Sequence, residues 1–136
     1  PMRGLDMNST NAMNEYKAIS IKSGIESATA HGLIEMLFSG ALKNIAAARL
    51  AMSNCKISEK CESVGKALAI VEYLRVSLDP GIEPAFSERL SELYHYMEAQ
   101  LYIANRENDD SYLLTVQSLL QELSEGWSGI PKEYRS

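Results

Sequence analysis

The chain has 136 residues, 46% of them hydrophobic, with a net charge of −5 and a sequence pI near 5.0, so it is long enough for one domain with a real core. The negative charge argues against a nucleic-acid backbone or an anionic membrane as partner. No apolar run approaches the roughly 20 residues of a bilayer span, and no signal peptide is visible, so the expected compartment is the cytosol, without membrane insertion.

Residues 1–12 have few apolar anchors and read as a mobile or vector-derived leader. A single helical domain is expected over 13–131, followed by a tail at 132–136. Between Met13 and Ile21 the apolar residues Met13, Tyr16, Ile19 and Ile21 make a segment too short to stand as a helix alone, but able to dock on one. Ser27 or Thr29 offers an N-cap for the run that follows.

That run, from Thr29 to Met52, organises the chain. At about 100° per residue, Ile34, Leu37, Phe38, Ala41, Ile45, Ala48 and Met52 share one wide stripe. A second apolar stripe, Leu33, Met36, Gly40, Ala47 and Ala51, lies roughly opposite, where a simple surface helix is polar. It predicts either a central helix with neighbours on both sides or a groove wall for a partner's helix, with small residues for close approach and methionine for adaptability.

A polar connection containing Cys55 leads to a helix from about Ser58, with Cys61, Val64, Leu68, Val71, Leu74 and Leu78 as its core stripe and Ile70, Tyr73 and Val76 around the other side. The two cysteines lack the four ligands of a structural zinc site and read as free thiols. Asp79-Pro80-Gly81 ends the helix. Pro84 suits a first helical turn, and Phe86, Leu90, Leu93, Met97, Leu101 and Ala104 then mark a third stripe, flanked by Tyr94, with Tyr96, Tyr102 and Ile103 off it. The polar run Asn105–Asp110 breaks the pattern, with Asp109 or Asp110 as an N-cap. Leu113, Val116, Leu120, Leu123 and Trp127 form the last stripe. The predicted fold is all-α: an antiparallel four-helix bundle with a short N-terminal segment docking on it.

Chemistry is sparse. Glu92-Leu-Tyr-His95 is an E-x-x-H pattern, but a di-iron bundle needs two such pairs pointing inward. Counted from Phe86, Glu92 and His95 fall at roughly 240° and 180°, away from the core stripe. Neither a metal nor another cofactor is expected. His31 reads as a capping-region or surface histidine, no nucleophile elbow is present, and an enzyme is not expected. Trp127 reads as core, while Tyr96 can pack sideways with its hydroxyl at the surface.

In order and spacing, Tyr16 with the Ile-containing segment, Ala28-Thr-Ala-His-Gly-Leu-Ile-Glu-Met-Leu-Phe-Ser-Gly-Ala41, Leu78-Asp79, Leu93-Tyr-His-Tyr-Met97, Ala104-Asn105 and Leu119-Leu-Gln-Glu-Leu123 with Trp127 resemble the FliS family of flagellin-specific export chaperones, over about Met13 to Ile130. The chain departs from the family's usual pattern at Thr29-Ala30, where Ser-Pro is common, at Ser39, where an acidic residue is usual, and at the connection from Asp79 to Pro84, which is often longer and contains Gly-Gly. The resemblance implies a cytosolic chaperone, working without ATP, that binds the disordered C-terminal segment of flagellin, prevents its premature polymerisation and delivers it to the flagellar type III export gate.

It further implies that the N-terminal segment can cover the client surface and takes part in docking to the export gate, which maps onto Met13 and Tyr16. By helical angle, Ile19, Ile21, Leu33, Met36, Ala47, Ile70 and Tyr73 are the expected client-binding or self-capping surface. A co-chaperone or an anti-sigma regulator is a further partner the resemblance allows, and a monomer or a weak or swapped dimer is expected. The alternative is a helical adaptor or oligomeric structural bundle without a flagellin client, its second stripes serving as a subunit interface.

Overall fold

The computed structural model describes residues 30–131, apart from residue 82. Four helices follow one another: α1 over Ala30–Ser53, α2 over Ile57–Val76, α3 over Pro84–Glu107 and α4 over Asp110–Ser128. Each packs on its neighbours in the chain, and α4 closes back onto α1. The connections are three residues (54–56), seven (77–83) and two (108–109). Such short links between helices of 19 to 24 residues leave only an antiparallel, up-down-up-down arrangement. The predicted bundle is the observed one.

Local chemistry sets the boundaries. Pro84 occupies the first turn of α3, where its missing N–H costs nothing. Asn108 ends that helix in the left-handed region at φ 56°, a conformation asparagine tolerates, so α3 runs two residues past the expected break at Asn105. Asp109 then caps α4, its Oδ1 accepting from the Ser111 N–H at 2.9 Å and the Ser111 hydroxyl at 2.8 Å. Those bonds hold the Asp109 carboxyl below its usual range. The caps expected at Ser27 or Thr29 lie outside the described residues.

The core is made of the predicted stripes, with instructive exceptions. Leu37, Phe38, Ala41, Ile45 and Ala48 of α1 meet Val64, Val71 and Leu74 of α2, Met97, Leu101 and Ala104 of α3, and Leu113, Val116 and Leu120 of α4. Cys61 is not among them; it is exposed. The inner seam of α2 runs Lys60, Val64, Ala67, Val71, Leu74, steps of four and three that keep one face inward, and this turns Cys61 outward and Lys60 inward. Lys60 is 2% exposed, and its ammonium donates to both the main-chain and side-chain oxygens of Asn105 at 2.9 Å.

The second stripe of α1 is mostly covered. Gly40 and Ala51 are buried, Leu33 and Met36 are half-buried, and only Ala47 is exposed. Like each helix of the closed bundle, α1 has a neighbour on both sides, α2 on one flank and α4 on the other. Phe86, expected to open the core stripe of α3, is instead 51% exposed, while Tyr94, expected at its flank, is 4% exposed.

Burial pushes the Tyr94 phenol from its ordinary value near 10 up to about 12. A raised phenol favours the folded state below pH 10, and that advantage is lost as pH climbs from 10 towards 12, because the unfolded chain ionises first. Two pH units correspond to about 2–3 kcal/mol. The stability of the wild type should therefore fall more steeply across this window than that of Tyr94→Phe, as followed by denaturant midpoints at fixed pH. Parallel curves for the two proteins would refute it.

Candidate functional site

The stripes run on to the end of the bundle where α1 and α3 begin and α2 and α4 finish. There they line a groove of about 730 Å³. On α3 the wall is Phe86, Leu90 and Tyr94, one residue per turn; on α4 it is Leu123 and Trp127, continued by Ile130. Leu33, Ile34 and Phe38 of α1 and Tyr73, Leu74 and Leu78 from the α2 side complete the lining. Leu90, Leu123 and Trp127 are half-buried, so the helix ends that carry core-type residues have apolar surface left over. The seven-residue link between α2 and α3 lies at this end, and the two- and three-residue links lie at the far end.

One rim of the groove is fastened by His31 and Trp127. The rings stack with centroids 4.8 Å apart and planes 12° from parallel. Trp127 Nε1–H donates to the His31 carbonyl at 2.9 Å. The His31 Nε2 lies 2.8 Å from the Trp127 carbonyl, and since a carbonyl only accepts, Nε2 carries the proton and donates. Two rings and two reciprocal hydrogen bonds thus tie the first turn of α1 to the last turn of α4. Glu35 adds a strand to the knot by accepting from the Ser128 hydroxyl at 2.8 Å; its other oxygen, 3.6 Å from His31 Nδ1, is beyond hydrogen-bond range. His31, expected as a capping-region or surface histidine, stands in the first turn of α1 and is 4% exposed, with the indole stacked on its ring. Trp127 is half core residue and half groove wall.

The residues chosen by helical angle distribute unevenly. Leu33 and Tyr73 line the groove. Met36 is half-buried outside that lining, and Ala47 is exposed on the outer face of α1. Ile70 is 2% exposed and belongs to the buried cluster, since α2 has α1 on one side and α3 on the other. Met13, Tyr16, Ile19 and Ile21 lie outside the described residues. Angle arguments missed Phe86, Leu90, Leu123 and Trp127, which were assigned to the core. A signal was present: these are the terminal members of their stripes, all at the same end of an antiparallel bundle.

A second hollow of about 420 Å³ at the opposite end is lined by Arg49, Leu50, Met52, Ser53 and Asp110, but Arg49 is held by both oxygens of Asp110 at 2.8 and 3.1 Å and by Gln117 at 3.0 Å. Glu92 and His95 are both exposed, and no group of three or more potential metal ligands occurs among the described residues. No helix among them is long and apolar enough to cross a membrane. What this site offers is apolar contact area, with no arrangement suited to bond chemistry.

Comparison with known proteins agrees with that character. Residues 12–134 match the family model described as flagellar protein FliS. The chain is 41% identical over 119 residues to the flagellar secretion chaperone FliSB of Pseudomonas aeruginosa, covering 88% of this chain and 94% of that protein. It is 35% identical over 125 residues to the flagellar secretion chaperone FliS of Salmonella typhimurium, covering 91% and 93%, and 32% identical over 125 residues to that of Vibrio cholerae, covering 92% of each. With its four-helix bundle and its open apolar groove, the chain belongs to the FliS family of flagellar secretion chaperones.

Proposed function

We propose that the groove is a client seat, and that the protein is a cytosolic chaperone that holds the disordered C-terminal segment of flagellin, keeps it from polymerising and delivers it to the flagellar export gate. The observation that carries this reading is the open apolar end of the bundle, with Phe86 half exposed beside Leu90, Leu123 and Trp127. A disordered chain with helical tendency gains most by laying an apolar stripe into such a groove, folding as it binds. Surface buried in this way is no longer free to drive filament assembly. Leu33 and Tyr73 then belong to the seat, and Met36, Ala47 and Ile70 remain candidates only for contacts away from it or for support beneath it. Ile19 and Ile21 are proposed to cap the surface when no client is present, and Met13 and Tyr16 to take part in docking to the gate.

The test is titration with a peptide from the C-terminal region of the same organism's flagellin, recording heat and far-UV circular dichroism together. Binding with a gain of helicity beyond the sum of the parts supports coupled folding on the bundle. Phe86→Glu should weaken the peptide by roughly 10- to 100-fold, the loss of about 1.5–3 kcal/mol of apolar burial. Because Phe86 is half exposed, the thermal midpoint should hardly move. Unchanged affinity in a folded Phe86→Glu protein would remove the groove from consideration as the seat.

A further inference from the structure

The charge of this protein is not spread evenly, and its distribution bears on which segment the groove accepts. Asp79 and Glu122 stand on the lining itself, which contains no lysine or arginine among the described residues. Glu83, Glu88 and Glu125 lie on the neighbouring turns. All five are exposed, and among the described residues none of them takes part in an ion pair. Of the two lysine or arginine side chains at this end among the described residues, Arg75 is held by Glu98 at 2.7 Å, leaving Arg89 exposed on α3. The lysines tell the same story from the other pole: every lysine among the described residues, Lys43, Lys56, Lys60 and Lys66, falls in the half of the bundle remote from the groove.

Apolar walls set affinity for any amphipathic helix; the surrounding field decides which one. At moderate ionic strength charges within about 10 Å act on one another, and a helix seated between Asp79 and Glu122 brings its polar edges within that range of the rim. A second copy of this chain would present the same acidic end and be repelled. We propose that the groove is charge-selective, and that the client segment it seats is an amphipathic helix whose apolar stripe is bordered by lysine or arginine. This rests on the reading of the groove as the client seat. The acidic rim lowers the free energy of such a segment and raises that of one bordered by carboxylates, which gives discrimination in addition to attraction.

The experiment uses the full chain and three fluorescently labelled peptides. Two are synthetic and share one apolar stripe, bordered in one by lysine and in the other by glutamate; the third is the flagellin C-terminal segment. Anisotropy reports affinity, and the emission of Trp127, the one tryptophan in the chain, reports occupation of the groove. At low salt the lysine-bordered peptide should bind about tenfold tighter than its glutamate twin, and the gap should close to about twofold at high salt. Asp79→Asn combined with Glu122→Gln should narrow the low-salt gap, whereas Glu62→Gln with Glu107→Gln, at the remote end, should leave it intact.

Equal binding of the two synthetic peptides, or a gap that follows the remote pair and not the rim pair, overturns charge selection. If the flagellin peptide still binds with a change in Trp127 emission, the client seat stands without it. If the flagellin peptide fails to bind while the lysine-bordered peptide is preferred, the client reading falls, and with it the assignment of this preference to flagellin.

Discussion

Trp127→Ala should cost about 3–5 kcal/mol of stability, the usual range for deleting a large packed aromatic side chain, and should weaken any groove-bound peptide at the same time. The indole performs three tasks that no smaller side chain combines. It covers the His31 ring, it donates to the His31 carbonyl, and its other face walls the groove. Removing it uncovers a histidine that is 4% exposed in the native protein and deletes the side-chain bond that reaches from α4 to the His31 carbonyl. Trp127→Phe separates these tasks. It keeps a ring to stack and a wall, but lacks the N–H, so its stability should fall by the roughly 1 kcal/mol of one hydrogen bond while peptide affinity stays within a few-fold of wild type. Chemical denaturation gives the first quantity and peptide titration the second. If the alanine variant lost less than 1 kcal/mol, the stacked pair would not be fastening α1 to α4.

The His31–Trp127 pair also marks where sequence periodicity stops being informative. The stripe containing Leu113, Val116 and Leu120 is readable because each residue repeats the same facing direction every turn, and the buried cluster contains all three. The same reading carries on to Leu123 and Trp127 and predicts core for them, since helical angle has no term for whether a neighbouring helix is still close at that height. Phe86 fails for this reason at the start of α3. It has the right angle, but stands on the groove wall. Ile70 fails in the opposite sense, because an off-stripe angle predicts exposure only for a helix with one neighbour, and α2 has two. Fold class, helix number and most boundaries could be read from spacing and caps. Of the groove residues, only Leu33 and Tyr73 were reachable by angle, and the rest needed the position of the cavity along the bundle.

Lys60 carries this lesson to a buried charge, and to the second large effect expected. The stripe read from the sequence placed Cys61 inward, yet it is the neighbouring lysine whose ammonium lies inside, where α2 begins and α3 ends, with both of its hydrogen bonds going to Asn105. The main-chain oxygen belongs to the last turn of α3, where carbonyls lack helical partners and a cation is favoured; the side-chain oxygen completes the site. Asn105→Leu removes one of the two acceptors and places a branched apolar group against the ammonium. A hydrogen bond to a charged group contributes about 1.5–3 kcal/mol, and a loss of that order is expected in urea denaturation. Lys60→Met should behave differently. It fills similar volume, removes the charge with its desolvation penalty, and leaves only the Asn105 oxygens to be satisfied, so its cost should be about 1–2 kcal/mol. In the double variant neither charge nor amide remains, and the leucine has the methionine as an apolar neighbour. It should therefore be more stable than Asn105→Leu alone, with a coupling of about 1–3 kcal/mol. Additive losses would mean that Lys60 and Asn105 contribute independently, and that the ammonium finds its compensation elsewhere when the amide is gone.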